Sequence, residues 1–185
     1  MKKIAVHLAE GFEEIEAITI IDVLRRAGLD VETVSVTGKK LVTGSHHISI
    51  QADVLFEETD YNTIDMIVLP GGMPGARNLD EHSGLKEQIL NFHAQKKPLG
   101  AICAAPIVFG HLNILNNRMA VCYPGFETEL MGAKVQQSLL AVDEHILTGQ
   151  GVGAALAFAL KITEILVGKN KADQLAKAML VDERN

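Results

Sequence analysis

The run DMIVLPGG (65–72) is apolar almost without a break and closes on a proline and two glycines. No alternation marks one of its faces for water. A strand of this kind is covered on both sides, as happens where helices pack on either face of a parallel sheet. The chain repeats the theme around it. KIAVHLA (3–9) reads as a strand, EEIEAITIIDVLRRAG (13–28) as an amphipathic helix, and VETVSV (31–36) as a second strand. Arg25 and Arg26 suit the negative end of that helix, and Gly28 its stop. The stretch 39–60 shows short alternating pieces, predicting a small hairpin or edge excursion.

Beyond residue 72 the pattern predicts a loop, a helix over 83–97, the strand PLGAI (98–102) and a helix from about Ala104. Residues 139–149 read as a hairpin with Asp143 and Glu144 near its tip, and 151–168 as a long buried helix. No linker or repeat divides the 185 residues, so one domain over 1–185 is expected. Sheets of this class bind ligands beyond the carboxyl ends of their strands. Cys103 and the pair Gly71-Gly72 both follow strands at that end.

Composition narrows the class of function. With 48% hydrophobic and 22% charged residues and only 5 Pro, the chain is globular in type. A net charge of −6 with dispersed lysines and arginines predicts no dedicated nucleic-acid surface. No apolar run approaches the roughly 20 residues that span a bilayer, so no membrane partner is expected. Two cysteines, and acidic residues from Glu10 onward, predict a reduced, cytoplasmic protein without a secretory signal.

The stretch PLGAICAAPIVFG (98–110) mounts a thiol between a strand and a helix. The free amides of a helix start favour an anion, which predicts a lowered thiol pKa and a larger thiolate fraction at Cys103. The competing reading is a buried, inert cysteine. Glu16 lies among Ile15, Ala17, Ile18 and Ile21, so an interior position would raise its pKa and let it donate a hydrogen bond to the thiolate. PGGMPGARNL (70–79) offers glycine amides for an oxyanion. GQGVGAAL (149–156) matches the dinucleotide pattern only in part, with no acidic residue on a following strand. The histidines show no metal-ligand spacing. No cofactor and no metal are expected.

AEGFEEIEAITIIDVLRRAG, IDMIVLPGGMPGARNL, AICAAP and ILTGQGVGAALAFALKITEILVG, in this order, resemble the ThiJ/PfpI superfamily, in its branch containing the Parkinson-disease-linked protein deglycase. The resemblance implies a flavodoxin-like three-layer α/β sandwich, a homodimer and no cofactor. It puts the reactive cysteine on Cys103, its partner carboxyl on Glu16, and the oxyanion amides on Gly72 and Ala104, with Gly71 and Tyr123 as further pocket residues. The implied activity is conversion of α-oxoaldehydes without a cofactor, or deglycation of their amine adducts. The implied partner is then a small aldehyde or a glycated amine.

Two departures bear on this. Tyr123 stands where the human family member has histidine, and Ala104 where protease-labelled relatives carry histidine after the cysteine. A general base for acyl transfer is therefore missing, which disfavours peptidase chemistry. A redox sensor or redox-regulated chaperone built on an oxidisable Cys103 is the alternative. A thiamine-biosynthesis role, a label some relatives carry, ranks low.

Overall fold

The structure, a computed structural model, describes residues 1–181. The last four residues of the expected domain lie outside that range. The chain forms β1 (Lys3–Leu8), α1 (Glu14–Arg26), β2 (Asp30–Ser35), β3 (Leu41–Thr43), β4 (Ser49–Gln51) and β5 (Val54–Leu55). Then come β6 (Met66–Leu69), α2 (Gly75–Glu81), α3 (Ser83–Ala94), β7 (Leu99–Ile102) and α4 (Pro106–His111). The remainder is β8 (Met119–Ala120), β9 (Lys134–Val135), β10 (Leu140–Asp143), β11 (Ile146–Gly149), α5 (Ala155–Val167) and α6 (Lys169–Ala178).

The main sheet has the order β10-β11-β7-β6-β1-β2-β5. Every neighbouring pair is parallel except the hairpin β10–β11. With its two edges set aside, this is the doubly wound order of flavodoxin-like sheets, so the α/β sandwich expected from the sequence is the fold observed. Period-two alternation divides the core. Ile4, Val6, Met66 and Val68 pack toward Ile20, Leu24, Phe158 and Ile162 of α1 and α5. Ala5, Ile67 and Leu69 face the other way, toward Leu79, Ile89, Phe92 and Phe109 of α2, α3 and α4.

The structure differs from the pattern in four places. Residues 75–81, read as loop, form α2, whose Ala76 and Leu79 are buried. The helix expected from about Ala104 begins at Pro106 and is short. The long helix 151–168 is a tight turn at Val152–Ala154 followed by α5, and α5 buries one face only, with Ile165 and Val167 outside. Gly168, at φ +95, ends α5 and leads into α6, an element the composition hid. Among the described residues no helix is long and apolar enough to cross a membrane.

Candidate functional site

The strand order sets the site. β7 lies between β6 and β11, so the turn after β6, Cys103 after β7 and Gly151 after β11 emerge side by side at the carboxyl edge. α1 enters from the neighbouring strand β1. Its buried residues are Glu14, Glu16, Ala17, Ile20, Val23 and Leu24, which follow the helical repeat. Glu16 thus shares the inward face of Ile20 and Val23. Ile15 and Ile18, adjacent in sequence, stay exposed because they fall on the opposite side.

Cys103 has φ +65, in the left-handed region that a side chain enters at a cost of about 1–2 kcal/mol. Two backbone bonds hold it there. Its N–H donates to the Gly149 carbonyl at 2.9 Å, and its own carbonyl accepts from Tyr123 N at 2.8 Å. The bend aims the half-buried thiol away from the sheet, where the amides of Gly72 and Ala104 hydrogen-bond the sulfur.

Glu16 is fully buried. Its Oε2 accepts from Gly71 N at 2.9 Å, its Oε1 has no hydrogen-bond partner among the described residues, and the carboxyl adjoins Cys103 beside Gly71. Burial raises its pKa to about 7, the Gly71 amide and the thiol opposing and the Glu13 charge adding. Cys103 behaves otherwise than a helix start alone predicts. Burial and then the Glu16 charge push its thiol up to about 12, against the pull of the two amides. The physical reason is burial first and the neighbouring Glu16 charge second, while α4 starts only at Pro106. The two groups form one proton-sharing pair. When Glu16 holds the proton, its repulsion disappears and its O–H becomes a donor to the thiolate.

The glycines are demanded by contact. A Cβ on Gly71 would stand 2.5 Å from the Cys103 Cβ and 2.8 Å from Glu16 Oε2. One on Gly72, whose φ is +89, would run into Glu13 N and the Gly11 carbonyl. Gly71→Ala is expected to lower kcat/KM at least tenfold and to cost about 1–3 kcal/mol in urea unfolding. Wild-type kinetics in that variant would show that the pair tolerates being pried apart.

Tyr123 is half exposed, and its ring lies over Gly151. A Cβ on Gly151 would be 3.2 Å from that ring and 4.0 Å from Cys103 Sγ. Gly151 was not among the expected site residues. In the chain GQGVGA reads as a partial nucleotide loop, although its position after a strand also places it at the same sheet edge. Cys122 is buried and its thiol is pushed up to about 11, mainly by burial. Both cysteines are free.

Spacing along the chain could not show that Glu13, Glu14 and His46 meet, with ligand atoms within 4.8 Å of one another. Glu14 is already engaged there, by His46 N at 2.6 Å and His46 Nδ1 at 2.9 Å. Burial would raise Glu14, but these bonds outweigh it and hold the carboxyl at about 2. The cluster pins the β3–β4 hairpin to the start of α1.

Comparison with known proteins places this geometry in context. The model of the DJ-1/PfpI family matches residues 2–165. Protein DJ-1 homolog B of Arabidopsis thaliana is 37% identical over 97% of this chain, which spans only 41% of that longer protein. The glutathione-independent glyoxalase DJR-1.2 of Caenorhabditis elegans is 32% identical, with 92% of this chain and 91% of that protein covered. The structure of oxidized Toxoplasma gondii DJ-1 superposes with a TM-score of 0.93 at 36% identity, covering 97% of this chain and 98% of its own.

Proposed function

The chain belongs to the DJ-1/PfpI family, and from that premise we propose that it converts α-oxoaldehydes such as methylglyoxal to hydroxy acids, using Cys103 and no cofactor. The observation that carries this reading is the buried Glu16 carboxyl, held by Gly71 N beside Cys103, at a pKa of about 7 that lets it both give and take a proton.

In this mechanism the Cys103 thiol gives its proton to the ionised Glu16 carboxyl as its sulfur bonds to the aldehyde carbon, and the carbonyl electrons pass to oxygen. The alkoxide sits where the Gly72 and Ala104 amides point, and takes a proton to complete the hemithioacetal. Glu16, now a carboxylate, removes the hydrogen from that carbon. It returns the proton to the neighbouring carbon of the enediol, leaving a thioester. Water cleaves the thioester, giving lactate from methylglyoxal and restoring the thiol. Electrons are only redistributed within the substrate, so no external oxidant is needed. Deglycation would begin instead from the adduct of methylglyoxal with an amine.

The test is lactate formation from methylglyoxal with no glutathione added. Lactate equal to the aldehyde consumed supports the reading, and a folded protein that makes none overturns it. A second reading, a sensor in which Cys103 is oxidised, draws on the same contact: the Glu16 proton can hydrogen-bond a sulfinate, and the Toxoplasma relative is described as oxidized.

Assembly belongs to the same proposal. Ile15, Ile18 and Val152 leave apolar side chains around an open cavity of about 430 Å³ on the outer side of α1. Covered by a second copy, this face gives a homodimer. Light scattering then reads twice the 20.0 kDa of one chain, and Ile18→Glu shifts it to the monomer.

A further inference from the structure

A cavity of about 740 Å³ does not have Cys103 in its lining. It lies beyond Tyr123 and Pro124, and Glu127, Gln136, Gln137, Ser138 and Gln150 line it. A second cavity, of about 360 Å³, runs between Tyr123 and Gly151. Pro124, Leu139 and Gln150 border both. The two are therefore one cleft. Cys103 lines neither cavity, but the inner end is bordered by Gly151, on which a Cβ would sit 4.0 Å from the Cys103 sulfur. Methylglyoxal, with three carbons, fills only that inner end, and both volumes fall in the range of small-molecule sites.

The lining indicates what fills the rest. No Lys or Arg borders either cavity among the described residues, and Glu127 adds a negative charge, so a phosphate or carboxylate is disfavoured there. The side-chain amides of Gln137 and Gln150 hydrogen-bond to no protein group among the described residues. Each carboxamide offers two donors and an acceptor, and Ser138 Oγ, which donates to the Leu140 carbonyl, keeps its lone pairs. Groups that both give and accept hydrogen bonds, beside a half-exposed tyrosine ring, match a chain of hydroxyl-bearing carbons. The hydroxyls meet the amides, and the C–H groups meet the ring.

We infer that this cleft is a subsite for the hydroxylated chain of a sugar-derived 1,2-dicarbonyl whose aldehyde carbon lies at Cys103. The inference rests on the proposed function and extends it from three-carbon to six-carbon substrates. It adds no chemical step, because the carbons that react are the same two.

The test separates binding from turnover. Full-length Cys103→Ala protein, labelled with nitrogen-15, is titrated with a six-carbon 3-deoxyosone. The side-chain amide signals of Gln137 and Gln150 shift saturably, and methylglyoxal leaves them in place. No shift, or the same shift with methylglyoxal, overturns the subsite. Turnover supplies the second arm. Replacing Gln137 and Gln150 with Leu lowers kcat/KM for the deoxyosone about tenfold relative to methylglyoxal, the factor that the loss of one or two hydrogen bonds produces. An unchanged ratio overturns the inference as well. If the wild type turns over neither aldehyde, the proposed function falls, and the titration still decides the subsite.

Discussion

Cys103→Ala forms lactate from methylglyoxal no faster than buffer does, and melts within a few degrees of the wild type. The proposed route begins with a sulfur–carbon bond, and no other group at the site can make it. Cys122 is buried, and its thiol has neither the Glu16 carboxyl to take its proton nor the Gly72 and Ala104 amides beside it. The fold tolerates the change because Cys103 is only half buried and the bonds that hold its bend, to Gly149 and Tyr123, are made by backbone. Loss of one sulfur from such a position costs about 1 kcal/mol, equivalent to roughly 2–4 °C in a chain of this size. Coupled measurement of lactate and of thermal unfolding checks both halves. Turnover above a tenth of the wild type would put the nucleophile elsewhere.

Glu16→Gln lowers kcat by about 100- to 10,000-fold with little change in KM, because the amide can still accept from Gly71 N but cannot carry a proton between carbons. Its effect on stability runs the other way. In the folded protein Glu16 titrates near 7, against an ordinary value of 4.5. Between those two values the native state holds a proton that the unfolded chain has lost, so this group's contribution to stability falls as pH rises through the window. The full penalty above pH 7 is up to about 3 kcal/mol. Gln carries no such penalty. Compared with wild type in urea, the variant gains stability at pH 8 relative to pH 5, while its activity is poor at both. Parallel pH profiles of unfolding for the two proteins would mean that Glu16 is not held protonated by burial.

What the sequence disclosed depended on how local the signal was. The unbroken apolar strand at 66–69 announced a sheet covered on both faces, and the thiol at the strand end announced its place at the carboxyl edge. Glu16 was legible as an interior carboxyl, though for the wrong neighbours: the residues it joins are Ile20 and Val23, set by the helical repeat, and not Ile15 and Ile18 beside it. The raised thiol pKa is not legible in the chain, because a helix start can be read from the sequence, whereas burial and the approach of a carboxylate 87 positions away cannot. α2 escaped notice because PGGMPGARNL is rich in residues that usually break helices, and packing of Ala76 and Leu79 overrode them. The meeting of Glu14 with His46, and of Gln150 with Gln137, is purely tertiary.

The backbone bonds on either side of Cys103 divide the labour of the molecule. The sulfur, its acid and its amides come from the turns after β6 and β7 and from α1, and these are locked together by contacts a single methyl would break. The walls of the cleft come from the segment between Tyr123 and Leu139 and from the turn after β11; the Tyr123 amide bonds the Cys103 carbonyl, and Gly151 lies beside the sulfur. Reactivity and choice of substrate are thus encoded in separate stretches of chain. On the proposed function, changes in residues 124–139 would alter the choice of aldehyde while the proton-sharing pair stays as it is.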